Sequence, residues 1–434
     1  GFVKGLTAPG KDRILGGIYR TVWLTKTRPV HVGQWGTQLT TREVSAASAT
    51  VDLAVTIAND SSTSAAVGVT TQLFVLDPEG RKTGEAVACF APVDTSVAAG
   101  SSTTIQGTAV VTNPQLWGPP PHQQPNRYVA VTTLSQQGRT TDVYETRFGI
   151  RSVRFDPNAG LLVNGKRIAI HGVNQHHDLG ALGAAFNVGA AQRQLEMLRE
   201  LGCNAVRLSH NPPAPELLEL TDRMGFLVYA EAFDGWELKK TPLDFHLIFP
   251  EWHEQDLRAL VRRDRNHPSV ILWSIGNEVG EQYTDAAGAA LAQRLCTIVH
   301  EEDPTRPTTS AMNYAKPDMP LPSVLDVISL NYQGEGIRQE PMFEGPARIR
   351  TPPQYAAYRA KFPNTPILTS ESASAFTRIP VTPSRSVPGI GSARLRAPVA
   401  STRWLYASAA PLARVTVRAA RSIATAASCT SETS

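Results

Sequence analysis

Six stretches of this 434-residue chain each carry side chains able to move protons or hold hydroxyl groups just where an apolar run ends. They are His171-Gly172-Val173-Asn174-Gln175-His176-His177-Asp178, Arg207-Leu208-Ser209-His210-Asn211, Glu231-Ala232-Phe233-Asp234-Gly235-Trp236, Gly276-Asn277-Glu278, Asn331-Tyr332 and Glu371. For any one of them, a polar group satisfied at a strand end is the simpler explanation. For the set it is a weak one. Two carboxyl groups held across one cleft divide into an acid and a base, because proximity raises the pKa of one while the other stays ionised. Glu278 and Glu371 could form such a pair, the minimum equipment for cleaving a glycosidic bond. One carboxyl protonates the leaving oxygen, and the other attacks the sugar carbon at ~5–5.5 Å separation or activates water across a wider gap. His176 and His177 offer a metal-binding alternative, but adjacent histidines with no spaced third ligand are weak evidence for it.

Such residues need a scaffold that brings distant strand ends together. From 149 to 376 strands and helices alternate. Strands are predicted at Arg167–Ile170, Ala205–Leu208, Phe226–Ala230, Val270–Ile275, Pro307–Ala311, Asp326–Leu330 and Pro366–Ser370. Leu195, Leu198 and Leu201 recur at helical spacing ahead of Gly202, and Leu217, Leu220 and Met224 do so ahead of Gly225, where a helix C-terminus favours glycine. Apolar strands alternating with helices imply a parallel sheet covered on its outside. Seven such units over about 200 residues favour a (β/α)8 TIM-type barrel with its eighth unit missing, whose functional groups gather at the C-terminal ends of the strands. A doubly wound sheet is disfavoured, because no glycine-rich phosphate turn follows the first strand.

Residues 31–148 read differently. Val51, Leu53, Val55 and Ile57 alternate as on a half-buried strand, and Asn59-Asp60-Ser61-Ser62 and Asp77-Pro78-Glu79-Gly80 punctuate as turns. Strands at this spacing without helices between them predict an immunoglobulin-like β-sandwich. Residues 1–30 resemble the end of a preceding β domain. With no initiator methionine at Gly1, a natural start elsewhere and a lost targeting segment are expected to be open.

Residues 377–434 form an Ala/Arg/Ser-rich tail with eight arginines, no lysine and the single acid Glu432. The remaining 376 residues hold 34 basic and 37 acidic side chains, so the net +4 lies wholly in the tail and the folded part presents no basic nucleic-acid face. The abrupt change near Phe376 favours a lost reading frame over a disordered extension. No run is long and apolar enough for membrane insertion. The four cysteines are too scattered for a disulfide framework or zinc site, and Cys203 and Cys296 sit in settings that suit buried thiols.

The run Asp264-Arg265-Asn266-His267-Pro268-Ser269-Val270-Ile271-Leu272-Trp273-Ser274-Ile275-Gly276-Asn277-Glu278 resembles the acid/base signature of glycoside hydrolase family 2. That family holds β-galactosidases, β-glucuronidases and β-mannosidases. Gly17-Ile18-Tyr19-Arg20, Arg147-Phe148-Gly149-Ile150-Arg151, Gly172–His177, Arg207–Pro213 and Thr369-Ser370-Glu371-Ser372-Ala373 match further motifs of the family in the same order. The resemblance implies Glu278 as acid/base, Glu371 as nucleophile, and Asn277 bonding the sugar 2-hydroxyl. It also implies that Tyr332 holds the nucleophile, that Arg207 lies beneath it, and that His176, His210, Asn211 and Asp234 line the site.

It further implies a carbohydrate substrate, a terminal β-galactoside ahead of a glucuronide or mannoside. The stretch from His176 to Gly183 looks galactosidase-like, and no Asn-x-Lys pair of the glucuronidase kind stands near Glu371. The mechanism requires no cofactor. A magnesium ion and a homo-oligomer are both compatible with the family, and no metal ligand set is legible. Cytoplasmic, periplasmic and secreted locations all remain compatible. The competing expectations are an inactive or merely carbohydrate-binding truncated relative, because the jelly-roll domain is represented only by its end, and, last, an adhesion module carrying an inert barrel.

Overall fold

A computed structural model describes residues 20–179, 182–332, 353–371 and 402–404. The first part is an antiparallel sandwich. One sheet contains β1 (Val30–Arg42), β2 (Ser48–Asn59) and β6 (Ser101–Thr112); the other contains β3 (Ala65–Leu76), β4 (Lys82–Cys89), β5 (Val93–Val97), β7 (Arg127–Gln136) and β8 (Arg139–Phe148). Val51, Leu53, Val55 and Ile57 point into the core between the sheets, as their alternation requires. Asn59 makes the turn after β2: its Oδ1 accepts from the Ser61 amide at 3.0 Å, and its Nδ2 donates to Val97 O at 3.0 Å.

A small antiparallel sheet follows, made of β9 (Val153–Asp156), β10 (Gly160–Val163) and β11 (Lys166–Arg167). Its apolar residues Leu161 and Val163 join Ile168, Ile170, Leu227, Ile271, Val327 and Leu368 in one buried cluster that fills the N-terminal end of the barrel.

The barrel strands, all parallel, are β12 (His171–His176), β13 (Ala205–Ser209), β14 (Leu227–Glu231), β15 (Val270–Asn277), β16 (Thr308–Met312), β17 (Ile328–Asn331), β18 (Ile367–Glu371) and β19 (Thr402–Trp404). Among the described residues five helices cover it: α1 (Val188–Glu200), α2 (Pro215–Met224), α3 (Phe249–Asp264), α4 (Asp285–Glu302) and α5 (Tyr355–Lys361). Helix α1 starts where Asn187 Oδ1 accepts from the Ala190 amide at 2.9 Å, and it is followed by Gly202 at φ +83°. Gly225 closes α2 at φ +73°, and a Cβ there would sit 2.5 Å from Pro120, so conformation and space both demand glycine.

The barrel docks on the sandwich through polar clamps. Asn266 accepts from the Leu39 amide at 2.9 Å and donates to Thr37 O at 2.8 Å, while the buried Trp117 donates to Asp222 O at 2.9 Å.

Two expectations are corrected. The first barrel strand is not Arg167–Ile170 but His171–His176. Ile168 and Ile170 are buried because they plug the base of the barrel, so the apolar run marks the floor and the polar run after it is the strand. The barrel is also not left at seven strands. Thr402–Trp404 pairs with β18 through Leu368↔Thr402 and with β12 through Gly172↔Trp404, closing the ring. A three-residue strand between alanine-, serine- and arginine-rich flanks is too short to show any period. The remainder of the tail, and with it the proposed loss of frame, lies outside the described residues, as do residues 1–19. Among the described residues, no helix is long and apolar enough to cross a membrane. Cys296 is buried and its thiol is pushed by that burial up to about 12, as suits a packing thiol.

Candidate active site

Parallel barrel strands end at one rim, so residues far apart in sequence meet there. Arg207 on β13 is wholly buried at the centre. Its Nη1 donates to Glu371 Oε1 at 2.6 Å, and its Nη2 donates to Glu231 Oε2 at 2.7 Å and to Asn277 Oδ1 at 2.8 Å. One guanidinium thus binds two buried carboxyl groups from β14 and β18, an arrangement that only a fixed planar fork can make. Glu231 has further partners: Ser274 donates to its Oε2 at 2.8 Å, and His210 Nδ1 lies 2.6 Å from its Oε1. His210 Nε2 then stands 4.0 Å from Glu371, and the ring packs edge-on against His176 at 5.1 Å between centroids.

Glu371 completes its environment with Tyr332, whose hydroxyl donates to Oε2. Burial alone would push the Glu371 carboxyl up. The positive charges of Arg207 and His210 and the Tyr332 hydrogen bond outweigh it and hold the group below the usual carboxylate range.

Glu278 sits in a different setting. Burial and the nearby Glu371 push its carboxyl up to about 7, against the opposing pull of Lys240 and a hydrogen bond from Asn331. That bond runs from Asn331 Nδ2 to Glu278 Oε1 at 2.8 Å, and Ser370 Oγ fixes the same amide by donating to its Oδ1 at 2.6 Å. Asn277 is anchored by four neighbours, among them Asn331, whose Nδ2 donates to its Oδ1 at 3.4 Å. Besides accepting from Arg207, it donates to Asp234 Oδ1 at 3.0 Å, and its carbonyl accepts from Lys240 Nζ at 2.5 Å. Lys240 also pairs with Asp234 at 3.1 Å.

Glu278 and Tyr332 each follow the last residue of a strand, and both adopt left-handed backbone, φ +46° and +57°. Non-glycine residues there cost about 1–3 kcal/mol. Amide hydrogen bonds hold them, Glu278 N to Ala311 O at 2.7 Å and Tyr332 N to Glu371 O at 2.6 Å.

A second cluster borders the rim. Arg20 Nη2 donates to His177 Nδ1 at 2.7 Å, which leaves the His177 Nε2 proton for Asn211 O at 3.2 Å. Asn211 thus joins through its backbone. Among the described residues no group of three His, Cys, Asp or Glu side chains is arranged to hold a metal.

All nine residues singled out in the sequence lie at this end of the barrel. Glu278, Glu371, Asn277, Arg207, His210, Asp234 and Tyr332 form one hydrogen-bonded and ionic network, His176 touches it through His210, and Asn211 lies beside it. Glu231, Lys240, Asn331 and Ser370 belong to the network as well and were not among the nine. Glu231 had a readable signal, because it ends β14 as Glu371 ends β18. Lys240 had none to distinguish it from Lys239.

A family model described as glycosyl hydrolases family 2, TIM barrel domain, matches residues 157–378, and one described as glycosyl hydrolases family 2 matches residues 30–151. The β-galactosidase BoGH2A of Bacteroides ovatus is 40% identical over 391 residues, covering 83% of this chain and 43% of that protein. A human β-glucuronidase is 37% identical over 240 residues, covering 53% of this chain and 36% of the relative. The solved structure of a glycosyl hydrolase family 2 member from Bacteroides cellulosilyticus superposes with a TM-score of 0.69 at 32% identity, covering 80% of this chain and 41% of that one. Bacteroides uniformis β-glucuronidase 2, covalently bound to cyclophellitol-6-carboxylate aziridine, gives 0.66 at 26% identity, covering 81% and 42%. The chain therefore spans less than half the length of these relatives.

Proposed function

The chain belongs to glycosyl hydrolase family 2, and from that premise we propose that it hydrolyses terminal β-linked sugars, β-galactosides foremost, by double displacement between Glu278 and Glu371. The observation that carries this reading is the opposed ionisation of two carboxyl groups at one rim: Glu371 is held charged, while Glu278 keeps its proton up to about pH 7. In the first step Glu371 attacks the anomeric carbon as the glycosidic C–O bond breaks, and the Glu278 proton passes to the departing oxygen. In the second step Glu278, now a carboxylate, takes a proton from water, whose oxygen displaces Glu371 from the sugar.

The other side chains set these two up. Arg207, His210 and Tyr332 keep Glu371 ionised yet aimed. Asn331 bonds one oxygen of Glu278, which leaves the other to carry the proton. Asn277 has one amide N–H committed to Asp234, and the second is available to the sugar 2-hydroxyl, a contact that strengthens in the transition state. Asp234 and Lys240 orient that amide, and His176, His210 and Asn211 line the sugar pocket.

A neutral sugar is favoured by the galactosidase at 40% identity over most of the chain. Glucuronidases at 32% and 37% identity make β-glucuronides the second reading. The test is a panel of chromogenic β-galactosides, β-glucuronides and β-mannosides, run on this chain and on Glu371→Gln. Galactoside turnover lost in the variant is the expected result. Preferential glucuronide turnover would replace the sugar assignment, and inertness of folded chain toward every sugar would leave a non-catalytic relative.

A further inference from the structure

The acid/base assignment has a consequence for the leaving group. The atom that Glu278 protonates belongs to the aglycone, so the aglycone must leave past the surface on Glu278's side of the rim. The chain runs from Glu278 straight into a 3-10 turn, Gly280–Tyr283, and the Tyr283 ring is 57% exposed. Tyr314, in the loop after β16, is 46% exposed, and its ring centroid lies 4.3 Å from that of Tyr283 with the planes 41° apart.

Large exposed rings normally scatter singly. These two are paired and mounted on a rigid base. Gln282, between Glu278 and Tyr283's ring, is buried; its Oε1 accepts from the Tyr314 and Ala315 amides at 3.2 and 3.0 Å. Its Nε2 donates to Val279 O at 2.9 Å and Asn313 Oδ1 at 3.1 Å, so one side chain locks both tyrosine-bearing loops together. Leu238, 44% exposed, extends the apolar strip: its Cβ crowds Gly280 so closely that a Cβ there would lie 2.8 Å away. Leu238 is itself pinned by its amide, which donates to Glu281 Oε1 at 2.7 Å. Partial burial, Tyr314 and the charge of Glu278 all push the Tyr283 phenol up, which puts the pair within electrostatic reach of the acid.

We propose that Tyr283 and Tyr314 form the aglycone platform of this enzyme, receiving the flat apolar face of a ring, sugar or aryl, attached through the scissile oxygen. The proposal rests on Glu278 being the acid/base. A rigid aromatic face binds such a ring at little ordering cost. Only the first chemical step touches the aglycone, so the platform acts there and is silent in the hydrolysis of the glycosyl-enzyme.

The test compares three β-galactosyl substrates of the same glycone: a disaccharide with a pyranose aglycone, an aryl galactoside, and galactosyl fluoride, whose leaving group has no ring. For Tyr283→Ala and Tyr314→Ala, kcat/KM should fall about tenfold on the ring-bearing substrates and stay unchanged on the fluoride. Tyr283→Phe should retain the wild-type value, because the face and not the hydroxyl is used. A larger loss on the disaccharide than on the aryl substrate identifies a sugar as the occupant, and the reverse identifies an aryl group. Equal losses on all three, or none on any, overturn the platform while leaving the Glu278 reading intact. Folded wild-type chain inert toward the galactosyl, glucuronyl and mannosyl fluorides alike overturns that reading and the platform with it.

Discussion

The wall of the barrel mouth that carries Glu371 and the wall that carries Glu278 offer a negative charge very different company. Around Glu371 stand a buried arginine at 2.6 Å, a histidine at 4.0 Å and a tyrosine hydroxyl, and all favour the anion. Around Glu278 the direct contact is a neutral amide at 2.8 Å, and the cation that acts on it most, Lys240, is occupied with Asp234 and with the Asn277 carbonyl. Burial presses on both groups alike, so burial does not set them apart. The number of donors and cations does. Two identical side chains are driven to opposite ionisation by what surrounds them.

The contrast also fixes how each group responds to pH. Glu371's pKa is lowered on folding, so its contribution to stability is present above the ordinary carboxyl value and is lost as pH falls through the folded one. Glu278's pKa is raised to about 7, so the folded state binds the extra proton and stability falls as pH rises from the ordinary value through about 7. Activity should decline above about pH 7 as the acid is lost.

The sharpest break of the comparison is Glu371→Gln, which removes the group that the whole first wall serves. Turnover should drop by at least about 10⁴-fold, and labelling by a 2-fluoro-galactosyl inactivator, followed by mass spectrometry, should vanish. Glu278→Gln attacks the other wall. Hydrolysis of poor leaving groups should slow by roughly 10²–10⁴-fold, while a dinitrophenyl galactoside should still load the enzyme and the alkaline fall in activity should disappear. Arg207→Lys preserves the cation but loses the fork that reaches Glu371, Glu231 and Asn277 together. A loss of about 10–100-fold in kcat is expected, with a lowered Tm because one buried carboxyl is left without its partner.

How much of this was readable in advance depends on how local the signal was. β13, β14, β15 and β18 lie within two residues of their predicted positions; in β14 and β15 four consecutive apolar residues buried on both faces leave an unmistakable run, and in β13 and β18 a shorter buried apolar pair opens the strand. β12 was misplaced because its interior-facing residues are polar, while the apolar residues before it pack into the barrel floor. β19 was not legible at all: three residues cannot display a period. At the rim, residues at or just after strand ends can be placed from the strand ends alone, as Glu278 and Glu371 are. Contacts that cross the barrel, such as Asn331 to Glu278 and Arg207 to Glu231, depend on closure and leave no trace in local pattern.

The smallest expected effect is the most discriminating between the walls. Lys240 is the cation whose charge most lowers the Glu278 carboxyl; Glu371 and Asp234 face the same group and raise it, Asn331 stabilises its charged form, and Tyr283 lies nearby. Lys240→Met therefore makes the two walls more unlike. The alkaline limb of kcat/KM should move upward, because deprotonating Glu278 becomes harder without the cation. At lower pH the rate should fall by only a few-fold, since Asn277 loses one of its four anchors and keeps Arg207, Asp234 and Asn331. Lys240→Arg should restore the position of the limb. An unmoved limb in Lys240→Met, with the rate lowered equally at all pH values, would show that Lys240 acts on Asn277's position and not on the ionisation of Glu278. The asymmetry of the two walls would then rest on the Glu371 side alone.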